Sequence, residues 1–158
     1  MKPVVNIYAH QTIKGPKSQN GIVGYVLETE TADGPRTKTG FALSVASTKH
    51  KAELYSIILP LRRMKKPSVL SIYADSGYIE TAFKQGWIDN WKENGWKTAH
   101  GNPIENIKEW KEMAKLLNAH EFQIISGAHS YTTWLERESE KWRDICLIDL
   151  ESLTVQRN

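Results

Sequence analysis

Two carboxylates stand where a folded chain can hold them rigidly. Asp75 ends the apolar run SIYA, and Glu53 falls in the first turns of a helix that starts near Ser47 or Thr48. Side chains at strand ends and helix starts project at one edge of a sheet, where binding and catalytic groups collect. A pair of hard oxygen donors on rigid elements suits a divalent cation and, with it, phosphate chemistry. Each residue also has a plainer reading. On propensity alone Asp75 is about twice as often a cap for the turn that follows it, and a lone helical glutamate is more often a solvated surface group. The single cysteine, Cys146, has no partner for a disulfide and none of the Cys/His spacing of a zinc site, so it is read as a helix-face residue.

The elements that must position these groups follow from periodicity. VVNIYA is a β-branched and aromatic run, GIVGYVLETE a second strand beyond the turn-rich KGPKSQNG, and RTKTGFALSV alternates as a half-exposed third strand. These make an antiparallel meander. Leu54, Ile57, Ile58 and Leu61 recur at helical spacing, with Pro60 expected to kink or loosen the last turn. SVLSIYA reads as a buried strand, DSGYIETAFKQG as the turn and helix after it, and residues 87–118 as helix broken at NGWKTAHGNP. EFQIIS is a fifth strand, and a last amphipathic helix begins about Thr132; the tail DLESLTVQRN shows no packing role.

A chain of 158 residues is long enough for one domain with a single core, and 40% hydrophobic with 25% charged residues is ordinary for a globular protein. No apolar run approaches the roughly 20 residues that span a bilayer, so a cytoplasmic, monomeric protein without membrane contact is expected. The net charge of +3 is unevenly placed, with eleven Lys and Arg against five Asp and Glu in the first 75 residues. That half is the better candidate for contacting phosphates.

The stretch IYADSGYIETAFKQGWIDNWKENGWKTAHGNPIENIKEW resembles type I ribonuclease H, with its strand-ending Asp-Ser pair, tryptophan-rich helix, GWKTA turn and NxxxW helix. STKHKAEL is similar to the family's helix start with its metal-binding glutamate, and VNIYA to its first strand. The resemblance spans residues 4–145. It implies an α/β ribonuclease H-like fold: a five-stranded mixed sheet, three antiparallel strands and then two parallel ones, flanked by helices. The active site is implied at the exit of the first and fourth strands.

In that family four carboxylates hold two magnesium ions, which orient a water against the scissile phosphate and stabilise the leaving oxygen. Glu53 and Asp75 match two of the four. The first-strand aspartate that bridges both ions falls on His10, and the last-helix carboxylate nearest Ser139, flanked by Glu138 and Glu140. Adjacent helix residues point about 100° apart, so one of them at most faces the sheet. The resemblance thus implies Glu53, Asp75, His129 and Glu138 as catalytic residues, and Asp75, Glu53, His10 and Glu140 as metal ligands. His129 matches the family's mobile histidine, which handles protons or product release. An imidazole in place of a bridging carboxylate favours Mn2+ over Mg2+ as cofactor.

The resemblance further implies an RNA/DNA hybrid as partner, with Thr48, Lys49, Trp87, Lys92, Trp96 and Lys97 as contact candidates. From Trp87 to Trp110 three lysines face four acids, so this stretch is not basic; Lys14, Lys17, Lys49 and Lys51 could compensate. Two functions are carried forward. One is endonucleolytic hydrolysis of the RNA strand by divalent-metal catalysis; the other is a catalytically impaired homologue kept as a nucleic-acid-binding or interaction module.

Overall fold

The computed structural model describes residues 2–156, with residues 147–156 described only as helical backbone. The tail singled out above lies wholly beyond the residues whose side chains are described. Strands β1 (Val4–Gln11), β2 (Gln19–Thr31), β3 (Gly34–Ser47), β4 (Val69–Ala74) and β5 (Glu121–Ser126) form one sheet in the order β3-β2-β1-β4-β5. The pairs β1–β2 and β2–β3 are antiparallel, whereas β1–β4 and β4–β5 are parallel. This is the mixed sheet that the resemblance implied.

The helices are α1 (Lys49–Arg62), α2 (Gly77–Lys84), α3 (Trp87–Glu93), α4 (Ile107–Leu117) and α5 (Thr132–Gln156). Alternation along the central strand gives the sheet two apolar faces. Val5, Ile7 and Ala9 pack with Leu54, Ile57 and Ile58 of α1 and with Trp110 and Met113 of α4. Tyr8 points the other way, into a smaller core with Val26 and Leu135 of α5. Ile7, Ile57 and Ile72 have no exposed surface, and burying each such side chain contributes about 1.5–3 kcal/mol.

Thr48, rather than Ser47, caps α1, its Oγ1 accepting from the Lys51 N–H at 3.3 Å. The helix continues through Pro60 to Arg62. Pro60 lacks only the N–H that would have bonded four residues back, and its buried ring keeps the last turn packed. The break at NGWKTAHGNP separates α3 from α4, with Trp96 and Asn106 both at positive φ and one antiparallel bridge between Lys97 and Pro103.

Candidate active site

Parallel pairing sets the site's geometry. Tyr8 of β1 lies opposite Tyr73 of β4, so two residues further along His10 falls level with Asp75. Both strands end at the same edge, where α/β sheets place their functional groups. His10 Nδ1 is 3.1 Å from Asp75 Oδ2. Among the described residues it nevertheless makes no hydrogen bond, so the contact has ion-pair distance without donor alignment. The same Asp75 oxygen accepts the Gln11 N–H at 3.3 Å. Gln11 is held in turn: its side chain accepts from the Ile13 N–H at 2.6 Å and donates to the Ile13 carbonyl at 3.0 Å. The capping role considered for Asp75 belongs to Ser76, whose Oγ accepts the Tyr78 N–H at 3.4 Å.

Glu53 reaches the edge from α1 with a side chain only 2% exposed. Its Oε2 lies 3.3 Å from His50 Nδ1; among the described residues its Oε1 has no hydrogen-bond partner, and Lys49 Nζ lies 4.0 Å away. A buried carboxylate oxygen in that state is costly, because water has been removed and nothing of equal strength replaces it. His50 was not picked out from the sequence, although its i, i+3 spacing to Glu53 was a usable signal. Its ring stacks on Tyr78 with centroids 3.7 Å apart. Tyr78 binds Ser76, the neighbour of Asp75, so His50, Tyr78 and Ser76 connect the two carboxylates.

The structure thus displays two pairs, His10 with Asp75 and His50 with Glu53. Among the described residues, no three of His, Cys, Asp and Glu converge as a metal cluster. In donor type alone, two carboxylates, one with a buried oxygen that no described residue satisfies, and an imidazole suit one divalent ion. They suit two closely spaced dications poorly, because His10 as a neutral ligand brings no negative charge.

The last-helix candidates separate cleanly. Ser139 is fully buried, its Oγ without a hydrogen-bond partner among the described residues, and Glu138 is held by Lys141 at 3.0 Å. Glu140 lines a cleft of about 270 Å³ together with Glu136 and Arg143, facing His10, Gln11, Thr12 and Lys14. Glu136 was missed in the sequence. Its i, i+4, i+7 relation to Glu140 and Arg143 places all three on one helix face.

His129 sits in the loop between β5 and α5, which leaves β5 at Ser126, whose N–H donates to Glu80 of α2 at 2.7 Å. Its Nδ1 accepts the Tyr131 N–H at 3.1 Å and its own N–H donates to Thr132 Oγ1 at 2.8 Å. An accepting Nδ1 puts the proton of the neutral ring on Nε2, a tautomer assigned from these contacts. Burial pushes the His129 pKa below its usual value; the Ala9 backbone and the Asp75 charge pull it up in part, and His10 pushes it down. The ring lies 5.0 Å from Tyr8 and 6.1 Å from Tyr73.

The nucleic-acid candidates are more scattered. Trp87 is half-buried, donates its Nε1–H to Gln85 at 3.0 Å and meets Tyr78 edge-on. Trp96 lies under Lys111 Nζ at 5.2 Å. Lys92 and Lys97 are exposed, Thr48 is occupied as a cap, and Lys49 leans toward Glu53.

A mixed sheet in the order β3-β2-β1-β4-β5 with helices on its faces, with Asp75 at the exit of β4, is ribonuclease H-like. Among solved structures, the chain superposes on LC9-RNase H1, a type 1 RNase H with the type 2 active-site motif, with a TM-score of 0.73. That match has 22% identity and covers 89% of this chain and 72% of the other. It superposes on LC11-RNase H1, solved in complex with RNA/DNA hybrid, with a TM-score of 0.52 at 12% identity over 79% of this chain and 86% of that one. Both show likeness of fold.

The RNase H family model matches residues 3–133, and the chain belongs to the RNase H family. It is 32% identical to a ribonuclease H of Chlorobium luteolum over 142 residues, 89% of this chain and 93% of that protein. It is 41% identical to a ribonuclease H of Chlorobaculum parvum over 97 residues, 60% of this chain and 66% of that protein.

Proposed function

We propose that the protein binds RNA/DNA hybrid and hydrolyses the RNA strand endonucleolytically with the help of a divalent cation shared by Glu53 and Asp75. Two observations support this: the strand register sets Asp75 at the sheet edge, and Glu53 of α1 keeps a buried oxygen that no described residue satisfies. Family membership supports the hydrolase class.

A bound divalent ion would supply charge neutralisation at the scissile phosphate and a more acidic water. The chain's own residues do the rest. The Gln11 N–H fixes the orientation of Asp75, and His50 holds Glu53 through Oε2 while Oε1 stays free. His129, kept neutral by burial, can accept a proton at an unprotonated ring nitrogen once its backbone contacts loosen. Glu140 and Glu136 place negative charge on the far wall of the cleft. Hydrolysis adds water across a phosphodiester, breaking one P–O bond and leaving a phosphate end and a hydroxyl end. Of the two cations, Mn2+ is favoured because it tolerates the His10 nitrogen better than Mg2+ does. Action as a monomer in the cytoplasm completes the proposal; among the described residues no helix is long and apolar enough to cross a membrane.

The test is cleavage of a labelled hybrid in Mg2+ and in Mn2+ by wild type, Asp75→Asn and His10→Asp proteins. Cleavage by wild type that Asp75→Asn abolishes supports the enzyme. Inert wild type with cleavage restored in His10→Asp would establish the binding module instead.

A further inference from the structure

The cleft of about 270 Å³ between the end of β1 and α5 shares His10 with the carboxylate edge. Alternation explains why it lies there. Tyr8 packs on Leu135 of α5, and His10, two residues on, leaves β1 on the same face. One turn beyond Leu135, the helix brings Ser139 and Glu140 to that level. Glu136, Ser139, Glu140 and Arg143 follow i, i+3, i+4, i+7 spacing and share one helix face. Ser139 is fully buried, whereas Glu136, Glu140 and Arg143 are exposed and line the cleft opposite Lys14.

The formal charges in this cleft cancel. Glu136 and Glu140 stand against Lys14 and Arg143, and His10 as a neutral ring adds nothing. A dication gains little from such walls, because the two cations repel it as the two acids attract it. A phosphate is served differently. The planar fork of an arginine binds two phosphate oxygens at once, so direction counts as well as net charge. Among the described residues neither Arg143 nor Lys14 forms an ion pair. The Lys14 carbonyl accepts from Gln19 Nε2 at 2.8 Å, which holds the loop while the ammonium stays exposed.

We propose that Arg143, with Lys14, grips the scissile phosphate from the α5 side and supplies positive charge that a second dication would otherwise bring. This rests on the hydrolase reading above. As water adds to phosphorus and the P–O bond breaks, negative charge builds on the non-bridging oxygens. The guanidinium faces those oxygens across the cleft from Glu53 and Asp75, where preorganised charge lowers the barrier most.

Two measurements on the 158-residue chain test it, with Arg143→Ala, Arg143→Lys and, as a control off the cleft face, Arg137→Ala. The first needs neither metal nor cleavage. Anisotropy follows binding of a hybrid whose RNA strand is 2′-O-methylated, in chelator, across a salt series. Arg143→Ala is expected to make the slope of log affinity against log salt shallower by about 0.9, while Arg143→Lys and Arg137→Ala keep it. The second is single-turnover cleavage in Mn2+. Its rate is expected to fall about a hundredfold or more in Arg143→Ala and about tenfold in Arg143→Lys, whose ammonium lacks the fork. In a His10→Asp/Ser139→Asp background, where added carboxylates attract a second ion, Arg143→Ala should cost less than about tenfold. An unchanged salt slope in Arg143→Ala, an equal change in Arg137→Ala, or undiminished cleavage by Arg143→Ala overturns the proposal. So does an equally large loss in the two-aspartate background. A wild type inert in both Mg2+ and Mn2+ sinks the hydrolase reading instead, and the salt slope alone then decides the phosphate contact.

Discussion

At the scale of single residues, the site combines one well-held carboxylate with one that the protein leaves unsatisfied. Asp75 accepts from a backbone N–H and touches His10, whereas Glu53 Oε1 is buried without a partner among the described residues. Removing the Glu53 charge should therefore not harm the metal-free fold. Glu53→Gln is expected to leave the metal-free thermal midpoint unchanged or raise it, by up to about 1 kcal/mol equivalent, while losing any stabilisation by added Mn2+; calorimetry with and without Mn2+ measures both. Asp75→Asn is expected to lower hybrid cleavage on the order of a hundredfold or more in a gel assay. His129 adds a pH dependence. Its folded pKa lies below the unfolded value of about 6.5, so between the two the unfolded chain binds more protons and stability falls as pH is lowered. His129→Phe should flatten that fall in melts taken from pH 7 down to 5.

At the scale of elements, the loop bearing His129 is latched rather than loose. Tyr131 Oη donates to Glu28 Oε2 at 2.7 Å while its backbone N–H holds the His129 ring. Glu28 raises the Tyr131 pKa to about 12. Above about pH 10 an unfolded tyrosine ionises and this one does not, so the latch's stability is present below pH 10 and is lost as pH rises toward 12. Tyr131→Phe is expected to cost about 1.5 kcal/mol at neutral pH, to remove that alkaline loss, and to speed amide exchange across residues 127–132; melts and hydrogen exchange report each. None of this latch was legible in the sequence, since it joins residues 28 and 131 across the sheet. The strands and helices themselves were legible, because alternation and helical spacing directly reflect burial. The capping residue of α1 and the persistence of that helix through Pro60 were not decided until packing showed which hydroxyl reaches the Lys51 N–H. Of the site, Asp75 and Glu53 could be read from their places at element ends, but His50 and Glu136 could not be chosen over other polar residues without knowing which helix face meets the cleft.

At the scale of the whole molecule, charge is divided between two regions. The stretch from Trp87 to Trp110 holds more acids than lysines, so hybrid binding should release few counterions there. The logarithm of affinity against the logarithm of salt is expected to have a shallow slope, about −0.9 per phosphate neutralised, steepening only if Lys14, Lys17 and Lys51 engage. Basic residues gather instead at the end of the sheet opposite the catalytic edge, where Arg36, Lys38, Lys65 and Lys66 line a groove. The catalytic proposal itself rests on Glu53 and Asp75 acting on one ion across the link formed by His50, Tyr78 and Ser76. The direct measurement is Mn2+ binding to the 158-residue chain by electron paramagnetic resonance, with Glu53→Gln, Asp75→Asn and the double variant. A shared ion means that each single change weakens binding about tenfold or more and the double change adds little further. Wild-type Mn2+ affinity in either single variant, or strictly additive losses, would contradict it.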